Sequence, residues 1–154
     1  MVRTIEPREV MQTRGVYKGV SYNICHPFSH YKWTYYIYLR LDLFQDKELA
    51  ESLWLTAEKP DERFETKFYR YYNNKLINNL WFHGGCTWYS KEYDSNDNRV
   101  IKIGCDYSHL WDEGRHYTID GVLEDAKATI DDLHENYVYG EACEGEHLRK
   151  TTIS

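Results

Sequence analysis

HGGCTWYSKEYDSNDNRVIKIGCDYSHLWD, residues 83–112, is the central segment of this chain. It reads as two β-strands around a polar loop. Residues 86–89 are rich in β-formers, and residues 100–105 place Ile101, Ile103 and Cys105 on one face at a period of two. Between them, residues 91–98 carry Asp, Ser and Asn, whose side chains bond the local backbone and favour turns. If Ser90 pairs with Arg99, paired residue numbers sum to a constant and His83 falls opposite Asp106. Directly opposed residues on antiparallel strands sit about 5 Å apart. An imidazole is therefore expected beside a carboxylate, with Gly84 and Gly85 exposing backbone next to both.

Working outward, residues 33–41 form the clearest strand. Trp33, Tyr35, Ile37, Leu39 and Leu41 line one face, and Thr34, Tyr36, Tyr38 and Arg40 line the other. Residues 16–24 read as an earlier strand, with residues 26–30 (HPFSH) turning the chain between the two. Asp46 caps a short helix through Leu55, with Leu49, Ala50, Leu53 and Trp54 on one stripe. Residues 63–75 carry aromatics at a spacing that fits a helix or a strand, and we read helix. On the far side, Asp120 caps a helix over residues 121–136 that sets Val122, Ala126, Ile130 and Leu133 on one face, with Tyr137 following on the same stripe. The fold class is α+β: an antiparallel sheet built around the central hairpin, packed by a C-terminal helix and one or two shorter helices. Residues 1–14 read as a flexible lead-in, 15–139 as a single domain, and 140–154 as a flexible tail.

The chain has 154 residues, enough for one domain with its own core. Its formal charge of −6 argues against direct nucleic-acid binding by phosphate neutralisation. Aromatics reach 16%, fifteen of them Tyr, which suits half-buried sheet or a recognition surface. Residues 1–15 lack an apolar core of signal-peptide type, and no apolar run approaches a membrane span. Cys25, Cys86, Cys105 and Cys143 include no CxxC pair and are expected to be free thiols of a cytoplasmic protein.

The constellation His83, Asp106, His109 and Asp112, with Gly84 and Gly85, admits several chemistries. As a catalytic set, His83, Asp106 and His109 would give a histidine tuned by a carboxylate, but no nucleophile motif accompanies it, and Thr87 or Ser108 would be a guess. The pairs His83-x2-Cys86 and Cys105-x3-His109 have zinc-like spacing. The proposed register does not set the two cysteines opposite one another, which weakens zinc, while His83, Asp106, His109 and Asp112 offer an alternative set of N/O ligands; neither a metal nor a cofactor is expected. A ligand cleft needs aromatic walls, here Trp88, Tyr89, Tyr107 and Trp111, and the same polar groups as anchors. The plain alternative is that Asp106 caps a turn and His83 locks it.

His83-Gly84-Gly85-x-Thr87-aromatic followed by Ile103-Gly104-x-Asp106-x-x-His109-x-x-Asp112 resembles a family of small proteins encoded by phages, prophages and mobile elements. The resemblance is strongest over residues 80–133. Its signature falls on His83, Gly84, Gly85, Thr87, Gly104, Asp106, His109 and Asp112. Cys86 and Cys105 stand where the family has an apolar residue and Phe, which further disfavours zinc. The resemblance implies a cytoplasmic protein of an infected bacterial host that counters host defence. Joined to the aromatic cleft, it leads to a binding protein rather than an enzyme. The expected partner is a nucleotide-like immune signal held by His83, Gly84, Gly85, Thr87, Trp88, Asp106, Tyr107, His109 and Asp112. A hydrolase acting on such a nucleotide, metal-assisted or not, and an inhibitor of a defence effector such as a CRISPR nuclease are the alternatives. A homo-oligomer is left open.

Overall fold

A computed structural model of the chain describes residues 10–27, 33–57, 75–107 and 117–140. Its five strands are β1 (Val10–Tyr17), β2 (Val20–Pro27), β3 (Thr34–Arg40), β4 (Trp88–Tyr93) and β5 (Arg99–Asp106). They form one antiparallel sheet in the order β1-β2-β3-β5-β4. Among the described residues the α-helices are α1 (Lys47–Thr56), a single turn α2 (Lys75–Asn79) and α3 (Ile119–Asn136), and Leu41–Leu43 forms a 3-10 turn after β3. Among the described residues no helix is long and apolar enough to cross a membrane.

The period-two alternation of β3 and β5 builds one core face. Tyr35, Ile37 and Leu39 of β3 lie beside Cys105, Ile103 and Ile101 of β5, all buried. Val122, Ala126, Ile130 and Leu133 of α3 are fully buried in the same cluster. Val122, Ile130 and Leu133 each contribute about 1.5–3 kcal/mol on leaving water, and Ala126 less. Asp46 caps α1 as expected, accepting from the backbone N–H of Glu48 and Leu49. The cap of α3 is Thr118 rather than Asp120: its hydroxyl accepts from Gly121 N–H at 3.0 Å, and Asp120 sits in the first turn.

Two boundaries differ from the sequence reading. Residues 16–24 are not one strand, because Lys18 (φ 49°) and Gly19 (φ 78°) form a two-residue turn with both residues left-handed. Helix α3 clamps that turn: Lys18 Nζ lies 2.7 Å from Asp131 Oδ1, and His134 Nε2 donates to Lys18 O at 2.9 Å. Residues 10–14 therefore belong to the domain as the greater part of β1, an edge strand whose polar outward residues Gln12 and Arg14 disguised it. At the other end, Tyr139 bridges Phe44 and Gly140 N–H donates to Leu43 O, so the domain runs through residue 140. The expected helix at 63–75 and the tail after 140 lie outside the described residues, apart from Lys75 in α2 and Gly140.

The register of the central hairpin also differs. Tyr93 pairs with Arg99 and Ser90 with Lys102, a shift of three residues from the expected pairing of Ser90 with Arg99. The turn is shorter than the polar run suggested. Asp94 accepts from the N–H groups of Asn96 and Asn98, Asp97 N–H donates to Asp94 O, and Asp97 takes φ 64°. This is a three-residue loop closed by a left-handed residue. Lys91 and Glu92, read as loop, belong to edge strand β4. An odd shift exchanges the faces of a strand. Tyr89 consequently turns into the core, where its hydroxyl donates to Leu53 O at 2.5 Å, and Trp88 turns outward.

Candidate functional site

The new register separates His83 from Asp106. Asp106 pairs with Thr34 on the sheet face opposite the core, where its Oδ2 accepts from Thr87 Oγ1 at 3.3 Å. Thr87 N–H donates to Gly104 O although Trp88 is Gly104's register partner. Two successive residues thus oppose one, which is a bulge, and it turns the Thr87 hydroxyl towards Asp106. The pairing of His83 with Asp106 is therefore corrected.

The acid beside His83 is Asp125, on the first half of α3. His83 Nδ1 lies 3.9 Å from Asp125 Oδ2. The His83 ring stacks on Tyr107 with centroids 3.8 Å apart and planes 11° apart, and Tyr117 meets both rings edge-on. Tyr107 O–H donates to Asp125 Oδ2 at 2.5 Å. Burial, and then that carboxylate, hold the Tyr107 phenol well above the usual tyrosine range, so it stays a donor.

Position is enforced from below by a chain of hydrogen bonds. His83 N–H donates to Tyr35 Oη at 3.3 Å, the Tyr35 and Thr129 hydroxyls are 2.7 Å apart, and Thr129 Oγ1 donates to Asp125 O at 3.2 Å. The loop bearing His83 is thereby tied through the core to the helix turn bearing Asp125. Phe82 O accepts from Gly85 N–H at 3.0 Å across a turn in which Gly84 takes φ 70°. A left-handed residue at that place favours glycine. Gly84 and Gly85 are exposed beside the histidine, whose side chain is 15% exposed against 33% for Asp125.

The expected site thus divides. His83, Gly84, Gly85 and Tyr107 gather at one end of the core face, whereas Thr87, Trp88 and Asp106 belong to the other side of the sheet. Tyr89 is core rather than wall. His109, Trp111, Asp112 and Ser108 lie outside the described residues. Asp125, Tyr117, Tyr35 and Thr129 were not anticipated. The available signal was that Asp125 and Thr129 are polar positions within the apolar stripe of α3.

Chemically, the cluster offers a carboxylate, an imidazole edge and three aromatic rings. Among the described residues no three His, Cys, Asp or Glu side chains converge on a common metal position. Cys25, Cys86 and Cys105 are free thiols. Burial pushes the Cys86 thiol up to about 12 and raises Cys105 as well. The thiolate is the reactive form, so peptide mapping after iodoacetamide is expected to find both unmodified near pH ~8.5, the ordinary thiol value. Cys86 labelling should appear only as pH climbs towards its raised value; labelling at the rate of a free thiol would contradict this environment. A cleft of about 390 Å³ at the opposite end of β5, lined by Asp42, Lys47, Glu51, Asp97 and Arg99 among others, contains none of the signature residues.

Comparison of the chain with protein-family models, curated proteins and solved structures finds no match in any of the three.

Proposed function

We propose that this is a small binding protein of the phage-encoded, anti-defence kind its signature resembles, which sequesters a nucleotide-like immune signal at the His83–Asp125 site. The observation that carries the reading is the His83 ring, held flat against Tyr107 with Nδ1 3.9 Å from the half-buried carboxylate of Asp125. A planar heterocycle suits a wall built from the rings of His83, Tyr107 and Tyr117. Its N–H groups suit Asp125, and its polar substituents suit the exposed backbone of Gly84 and Gly85.

Binding is favoured over catalysis by the state of the polar groups. One oxygen of Asp125 already accepts the Tyr107 hydroxyl, and the raised thiols of Cys86 and Cys105 are poor nucleophiles. Heat denaturation of protein purified from infected host cells, followed by chromatography of the released small molecules, tests the reading. A sequestering protein is expected to release an intact nucleotide. Release of cleaved product alone would make it a hydrolase. Release of nothing, with a defence effector co-purifying, would make it an inhibitor.

A further inference from the structure

The sheet face turned away from the helices carries a second surface, distinct from the His83 site. Register pairs run straight across all five strands through Arg14, Asn23, Tyr36, Gly104 and Trp88. Next to that row, Tyr38 pairs with Lys102 and Lys102 with Ser90. Trp88 is exposed, with its indole N–H fixed on Ser90 Oγ at 2.9 Å and its ring edge-on to Tyr36 at 6.2 Å. The Lys102 ammonium lies over these rings, 4.3 Å from the Tyr36 centroid, 5.6 Å from Trp88 and 5.9 Å from Tyr38. Asn23, only 6% exposed, keeps its carboxamide oxygen without a hydrogen-bond partner.

Charge is segregated between the two sides. Helices α1 and α3 hold eight acidic residues against two lysines, which matches the formal charge of the entire chain. Among the described residues the open face is near balance instead: it carries Arg14, Lys102 and Arg40, the last paired with Asp42 at 2.6 Å, against Glu92 and Asp106. Among the described residues the acidic excess thus lies on the helical side.

We propose that this face docks a single strand of nucleic acid, with bases stacking on Trp88 and Tyr36 and the backbone phosphates meeting Lys102 and Arg14. Aromatic side chains on an open antiparallel sheet, interleaved with cations, bind unpaired bases through their π-faces while the cations meet the backbone. Five strands span about 19 Å, room for a short run of nucleotides.

Fluorescence anisotropy with a fluorescein-labelled single-stranded RNA of about 12 nucleotides, and with the matching duplex, tests this. Micromolar binding of the single strand is expected, with quenching of tryptophan emission and at least tenfold weaker binding of the duplex. Trp88→Ala should weaken binding by roughly tenfold or more, and Lys102→Gln should reduce both affinity and its salt dependence. Both variants alter outward-facing side chains, and circular dichroism checks that they fold. His83→Ala should leave this binding unchanged, which keeps the outcome separate from the fate of the His83 site. Absence of binding at a hundredfold excess over the expected range, equal binding of duplex, or insensitivity to both Trp88→Ala and Lys102→Gln overturns the proposal.

Discussion

Replacing Gly104 with Ala is expected to destabilise the protein by about 1–3 kcal/mol, the cost of forcing an extra group into close-packed surroundings. A Cβ at this position would lie 2.3 Å from Tyr35 O and 2.5 Å from Tyr36 Cδ1. The first contact is with the backbone of the central strand, which cannot retreat without breaking pairing on both of its sides. For a domain of this size each kcal/mol lowers the melting temperature by about 2–4 °C, so a fall of roughly 2–12 °C is expected. Gly15→Ala is the comparison. Its Cβ would meet only the ring end of Tyr22, which can swing aside, so its melt should move less. A Gly104→Ala melt within about a degree of the parent would mean that Tyr36 does not lie across this glycine as described.

The second large effect is on binding. Asp125→Asn keeps a carboxamide oxygen able to accept the Tyr107 hydroxyl but removes the charge facing His83 and any ligand. A hydrogen bond to a charged acceptor is worth about 1.5–3 kcal/mol and to a neutral one about 0.5–1.5. The stability cost should therefore be near ~1 kcal/mol, and less because Asp125 is one-third exposed. Ligand affinity should fall by tenfold or more, since a donor on the ligand would lose its charged acceptor in a half-buried site. His83→Ala should show the same division, with a modest change in melt and a large loss of affinity. A variant that loses stability and affinity in proportion would mark the cluster as a structural lock instead.

The features that the sequence discloses are those set by repeating pattern. Strand β3, the core face of β5 and the stripe of α3 each follow from alternation or helical spacing, and each stands where the pattern puts it. What escapes is set by single turns. A side-chain bond from Asp94 and one left-handed residue at Asp97 shortened the central loop, shifted the register by three and moved His83 away from Asp106. Lys18-Gly19 likewise concealed a whole edge strand, because a lysine at positive φ leaves no compositional mark. The true acid partner of His83 comes from a helix more than forty residues away in sequence, a contact that local spacing does not encode. Its trace was there as a polar residue in an apolar stripe.

Ligand loading measured side by side in the parent, Asp125→Asn and Trp88→Ala, each purified from infected cells and denatured to release small molecules, tests the His83–Asp125 site most directly. Sequestration at that site predicts near-stoichiometric release from the parent and from Trp88→Ala, and almost none from a well-folded Asp125→Asn. Equal loading of Asp125→Asn and the parent would contradict it.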